Sequence, residues 1–468
     1  RGYLAAAVQV DEMRDAMAAL GEALTPEQRA FLDPGFRADW LLRRDLAAWQ
    51  QAGRPDGRLW GDDRFLGFVP EDRAEPEADD EPGDDAAPAA AGAPQPPEPP
   101  LLPEPATAEQ WQAQRERRRF LSRSFERVLA DHAGRPKRRT DCAKGLARLG
   151  DPRFDPLHWY LPDDDRLGFR EVRAGEFLMG TPRHQVEGGL DEQYWPQFGV
   201  VEQPQPLHLR TFYLARWLVT VGQFRAFLRA QGFPAEVAGF PAEPSWLTAL
   251  PSLPVTFVRY PQAVAYIEWL AGELRGLAPG RIEALASVDA QSSALASAYR
   301  FWTDVANGRV KAGLPSEAEW EKAARGNRDD ERNKPFPQGR IWPWGDRFDG
   351  TRANVQETGI EKRVCPVGSF PTGGSLDGCE DLAGNVWEWT RSLWGRDFVR
   401  PDFDYPYDPD DQDREDRASN APDARLRVLR GGAFSSNHDH CRAAARVRFN
   451  PLNRYDDVGF RLVWSPYL

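Results

Sequence analysis

From Asp151 to the C-terminus the chain is a series of short apolar runs, each closed within a few residues by glycine or proline, and tryptophan recurs through them. Runs of that length and punctuation read as short strands and loops around a few helices. Seventeen tryptophans and 25 phenylalanines supply large apolar surface for a substantial core. Three helices stand out against this texture. Thr220-Val221-Gly222-Gln223 has the spacing of a capping box, with Phe224, Phe227 and Leu228 on one face and Gly232 as a stop. A second helix runs from Pro261 to about Leu274, with Val264, Ile267 and Leu270 facing inward. The third opens at the capping box Ser316-Glu317-Ala318-Glu319, buries Trp320, Ala323 and Ala324, and ends at Gly326.

The first 150 residues have a different texture. Residues 1–66 predict a helical segment, with Leu4, Val8, Met13, Met17 and Leu20 at three- and four-residue steps. Residues 67–106 turn acidic, then alanine-rich, then proline-rich, and carry almost no large apolar side chain to offset the entropy of ordering them. A disordered linker is expected there. Residues 107–150 predict a basic helical segment, whose arginines at 115–119 and 135–139 form either a solvated face or a dock for a protein partner.

Net charge bounds the partners. At -12 the chain lacks the basic surface that phosphate neutralisation requires, so no nucleic-acid partner is expected. No apolar run reaches the roughly eighteen residues that cross a bilayer, and no membrane partner is expected either. The four cysteines, Cys142, Cys365, Cys379 and Cys441, never form a C-x-x-C pair. That usage fits a reducing, cytoplasmic setting.

Seven segments occur in a fixed order. They are Ala174-Gly-Glu-Phe-Leu-Met-Gly180, Leu314-Pro-Ser-Glu-Ala-Glu-Trp-Glu321, Trp342-Pro-Trp-Gly-Asp346, Val367-Gly-Ser-Phe-Pro371, Asp381-Leu-Ala-Gly-Asn-Val-Trp-Glu-Trp-Thr390, Leu429-Arg-Gly-Gly432 and Val458-Gly-Phe-Arg-Leu462. In that order they resemble the formylglycine-generating-enzyme (sulfatase-modifying-factor) family. The resemblance covers roughly residues 151–468, with an insertion at about 276–310. It implies an α+β, C-type-lectin-like domain of high loop content, preceded by the helical segments and the linker.

Within Asn385-Val-Trp-Glu-Trp389, period-two alternation puts the two tryptophans on a core face and Glu388 on a polar face. The resemblance implies calcium at Asn385 and Glu388, and oxygen donors in a loop suit that ion. The plainer reading is that Asn385 caps the turn and Glu388 bonds backbone amides. The family's catalysts use two cysteines to bind copper, and aligning on Ala444-Ala445-Arg446 places His438 and Ala443 at those positions. No copper is expected without the thiolates. The related sulfoxide synthases use a three-histidine iron site fed by an N-terminal bundle, but only His132 stands in this N-terminal part, so no iron is expected. An alternative keeps enzymatic chemistry: a metal-dependent oxidase or sulfoxide synthase with a rearranged site built from Cys441, His438 and His440. The two histidines would share one strand face.

Arg430 to Leu462 reads as a fixed frame with heterogeneous residues between. Ser435, Asn437, His438, His440, Arg448, Phe449, Asn453, Tyr455 and Asp456 form a candidate ligand face, mixing rings with short polar groups as adaptable surfaces do. The layout resembles the variable region of diversity-generating-retroelement target proteins. The expected function is therefore a non-catalytic module that binds a protein or a small ligand, of the kind the resemblance places in bacterial signalling and defence.

Overall fold

The computed structural model describes residues 136–468 apart from 186–191, 232–248, 287–291, 337, 404, 406, 409–410, 412 and 417–424. The expectations for 1–66, for the linker at 67–106 and for 107–135 lie outside the described residues. The chain divides between Leu102 and Pro103 into two units, and every described residue belongs to the second. Five helices are used below: α1 (Pro136–Leu149), α2 (Val221–Ala230), α3 (Tyr260–Ala286), α4 (Ser293–Ala306) and α5 (Glu317–Arg325).

Both capping boxes form. Gln223 N donates to Thr220 Oγ1 at 3.3 Å and Thr220 N to Gln223 Oε1 at 2.8 Å, which starts α2. Glu319 N donates to Ser316 Oγ at 3.1 Å and Ser316 N to Glu319 Oε2 at 2.8 Å, which starts α5. Gly326 follows α5 at φ 78°, a conformation that costs glycine little.

Residues 276–310, expected as an insertion, hold the end of α3 and all of α4, which pack on each other. Instead of stopping near Leu274, α3 runs on through Pro279 to Ala286, keeping Leu274 and Ala278 buried. Helix α4 buries Ala298, Phe301, Trp302 and Val305. Phe301 stacks on Phe169 at 5.4 Å and meets Tyr213 at 5.0 Å, and Trp302 Nε1 donates to Asp165 O at 2.8 Å. Apolar burial against a sheet therefore carries the helix past Pro279.

Eight strands build two four-stranded sheets: β1 (Phe169–Val172), β2 (Phe212–Ala215), β3 (Lys311–Gly313), β4 (Trp387–Gly395), β5 (Leu426–Arg430), β6 (Arg446–Phe449), β7 (Val458–Gly459) and β8 (Val463–Ser465). The first sheet has the order β1-β2-β8-β3 and the second β6-β5-β4-β7. Strand β7 runs parallel to β4, pairing Glu388 with Gly459, while β5 runs antiparallel, pairing Glu388 with Arg430. Between β7 and β8 the chain passes from one sheet to the other, so Phe460-Arg461-Leu462 joins them. The apolar centre lies around α5, where Trp320 is fully buried among Phe177, Leu214, Leu382, Ala443 and Val463.

Strand β4 departs from the alternation expected of it. All nine of its residues are buried, Glu388 included, because both faces of the strand are covered. No helix among the described residues is long and apolar enough to cross a membrane.

Candidate functional site

Arg430, at the end of β5, holds the segment that follows the 430s loop. Its guanidinium pairs with Glu317 Oε2 at 2.8 Å and Glu321 Oε2 at 3.0 Å, and donates to Ala443 O at 3.1 Å. Arg446 Nη2 reaches the other oxygen of Glu317 at 3.0 Å. Burial alone would raise the Glu317 carboxyl, but Arg446, Arg430 and Arg414 outweigh it and hold it below the usual range. The chain between these anchors turns tightly. Gly432 sits at φ 73°, and any side chain there would collide with Cys441 Sγ.

Between the anchors, residues 438–441 form a 3-10 turn rather than the strand expected for His438 and His440. Asn437 is its cap, accepting from His440 N at 3.1 Å. At three residues per turn, positions two apart point to different sides, so the histidines do not share a face. His438 Nδ1 meets Glu357 Oε1 at 2.7 Å, its backbone N donates to the same carboxylate at 2.9 Å, and its ring lies 4.7 Å from Phe348. Burial pushes the Glu357 carboxyl up, but these bonds from His438 prevail and hold it down. His440 bonds Asn437 Oδ1 through Nδ1 at 2.9 Å and rests on Phe198 at 5.2 Å, where burial lowers its pKa.

The remaining candidate residues fall into two further groups. Tyr455 lies 4.4 Å from Phe449 ring to ring and its hydroxyl accepts from Asn453 Nδ2 at 2.9 Å. Ser435 donates to Asp457 Oδ2 at 2.7 Å, beside Asp456, and burial raises the pKa of both aspartates. Arg448 is elsewhere. It alternates with Phe449 on β6 and stacks on Trp394, its Cζ 5.2 Å from the ring. The candidate residues thus make three sets of contacts, and Arg448 lies on the other side of β6 from Phe449.

Asn385 and Glu388 are not neighbours aimed at one ion. Asn385 closes on Cys365, accepting from its N at 2.8 Å and donating to its O at 3.1 Å. Glu388 places both oxygens on Arg461, at 2.6 and 2.8 Å. A calcium ion at Glu388 would have to displace a buried guanidinium, so this donor pair does not fit the metal. Among the described residues no three His, Cys, Asp or Glu side chains gather closely enough to hold a metal ion.

Cys441 is fully buried and its thiol is pushed far up by that burial, as is Cys365; Cys379 is raised to about 12. A thiol so protonated is a poor nucleophile. All four cysteines are free. Sequence reasoning missed Glu357 and Phe348, and it quoted Trp342 only as part of a motif and not as a partner of His438, to whose O its Nε1 donates at 3.2 Å. No local spacing announces Glu357, which meets His438 from 81 residues away.

Comparison with known proteins places this geometry. The sulfatase-modifying factor enzyme 1-like domain matches residues 168–466. The formylglycine-generating enzyme of Thermomonospora curvata is 29% identical over 338 residues, which cover 65% of this chain and 96% of that protein. The inactive C-alpha-formylglycine-generating enzyme 2 of Mus musculus is 32% identical over 167 residues, covering 32% of this chain and 42% of the other. Treponema denticola variable protein 1 aligns in structure with a TM-score of 0.38 at 21% identity, over 64% of this chain and 95% of that one. The chain spans far less of some curated relatives, 22% in the case of the serine/threonine-protein kinase Pkn1 of Chlamydia trachomatis.

Proposed function

The chain belongs to the family of the sulfatase-modifying factor enzyme 1-like domain, which holds both enzymes and inactive members, and on that premise we propose that it is a non-catalytic recognition module. One observation carries the reading. Where the family's catalysts place two thiolates, this chain has His438, clamped by Glu357, and Ala443, fully buried; the neighbouring Cys441 is sealed in the core. Copper chemistry has no soft ligand pair to start from. Residues 435–456 supply instead a mixed polar and aromatic set on loops held by buried arginines, which suits contact with a protein or a small ligand. Four free cysteines support a reducing, cytoplasmic setting.

The test is oxygen uptake. The purified chain is loaded with Cu(I) or with Fe(II) and given a cysteine-containing peptide under air. The expected rate equals that of Cys441→Ala. Uptake by the wild type that Cys441→Ala or His438→Ala abolishes would overturn the proposal in favour of a rearranged oxidase.

A further inference from the structure

Strand β4 runs out into a loop whose tip is apolar and exposed. Phe398 and Val399, at that tip, are 57% and 56% exposed. The loop is closed at its base, where Trp394 Nε1 donates to Asp397 O and Asp402 N to Trp394 O, each at 2.8 Å. It is capped at its tip as well. Asp397 Oδ1 accepts from Val399 N at 2.6 Å and Arg400 N at 3.0 Å, an Asx turn that presents the two apolar side chains together.

Arg396 and Arg400 flank the tip in sequence, and both are exposed. Among the described residues neither guanidinium makes a hydrogen bond or an ion pair. Arg448 adds a third positive charge beside the tip, its Cζ 5.9 Å from the Phe398 ring. The two carboxylates of the loop are turned to the loop itself. Asp402 lies against Gly395, and Asp397 is taken up by the amides of Arg400 and Val399, which together with the charges of Arg400 and Arg448 hold it below the usual range. What faces outward is therefore apolar at the centre and cationic around it.

A phenylalanine and a valine held in one conformation gain burial on binding at little cost in ordering, and an aromatic anchor beside arginine is the common make-up of an interface centre. We propose that this tip docks on an acidic segment of a partner protein, one in which carboxylates stand on either side of apolar residues. Phe398 and Val399 bury the apolar part, and Arg396 and Arg400 take the carboxylates, whose planar geometry a guanidinium fork matches. An anionic bilayer offers the same charge. Two side chains, however, bury far less apolar surface than one acyl chain, and a single acyl chain binds a bilayer only marginally. The docking surface does not depend on whether the chain is catalytic.

Selection of phage-displayed random dodecapeptides on the full chain tests this, with the double variant Phe398→Ser and Val399→Ser as the counter-target. Both substitutions are at exposed positions, so the variant should keep the wild-type urea midpoint. Recovered peptides are expected to combine carboxylates with apolar or aromatic residues and to bind the wild type at least about 10-fold more tightly than the double serine variant. A second variant, Arg396→Gln with Arg400→Gln, should weaken the same peptides about 10-fold and remove most of their salt dependence. Vesicles of phosphatidylserine and phosphatidylcholine should not bind. The proposal is overturned if no peptide distinguishes the wild type from the double serine variant, if the recovered peptides lack carboxylates, or if their binding survives the arginine changes. Vesicle binding that the double serine variant loses would overturn it too, and assign the tip to a membrane.

Discussion

Between Arg430 and Arg461 two kinds of residue alternate. Arg430, Arg446 and Arg461 are essentially without exposure, and each meets a buried carboxylate within 3.0 Å. Ser435, Asn453 and His440 instead make one or two side-chain contacts each, without a buried ionic partner. The same stretch therefore carries a rigid ionic frame and a set of positions with little structural duty. A scaffold of this kind can change what it touches without changing how it folds.

The largest effect should come from breaking the frame. Arg430→Ala leaves Glu317 and Glu321 buried against fewer positive charges, and removing one partner of a buried pair typically costs about 3–5 kcal/mol. Urea denaturation should show a loss of that size. A change below about 1 kcal/mol would end the distinction between frame and loop.

Glu388 sharpens the comparison by separating an ionic frame from a metal-bound one. Its burial raises its pKa while Arg461 pulls it back, and both oxygens are already occupied. Glu388→Ala should cost about 3 kcal/mol, with the same loss in excess calcium as in excess chelator. A wild-type protein that melts lower after chelation while Glu388→Ala does not would place calcium at this pair.

An intermediate case is the seat of α1. Glu361 takes Lys137 at 2.6 Å and Lys144 at 2.7 Å, so part of the basic segment, read as a solvated face or a dock, is held internally. Burial would raise this carboxyl, but the two lysines hold it at about 2 against an ordinary 4.5. A depressed carboxyl stabilises the fold fully above pH 4.5, and that contribution fades as pH falls from there to about 2. With Lys137 half in solvent, about 2 kcal/mol is expected. Glu361→Gln should lose it at pH 7 and show a flatter stability profile below pH 4.5.

What was legible in the sequence was local. The capping boxes at Thr220 and Ser316 need only residues three apart, and the ordered motifs carry the frame itself: Glu317 and Glu321, Arg430, Glu388 and Arg461 all lie within them. Their partners, in contrast, are joined by topology. Arg461 finds Glu388 only because β7 lies beside β4, and His438 finds Glu357 only because Gln356 N bonds Ser436 O. The turn at His438–Cys441 had a local cue in Asn437 as cap, which the heterogeneous composition around it obscured. Helix α3 outran its expected end because α4, its neighbour in space, supplies the apolar surface that a one-dimensional pattern does not display.

The smallest expected effect tests the loop half of the comparison. Ser435→Tyr and Asn453→Tyr each remove one exposed hydrogen bond, to Asp457 and Tyr455 respectively, and neither side chain is packed in the core. Each should change stability by less than about 0.5 kcal/mol, and the pair should add, because the two contacts share no partner. Asn437 is the position to leave alone, since its side chain caps the turn and an alanine there should cost about 1 kcal/mol. If the double tyrosine variant keeps its urea midpoint while Asn437→Ala loses ground, exposure alone does not define a free position; the absence of a backbone partner does.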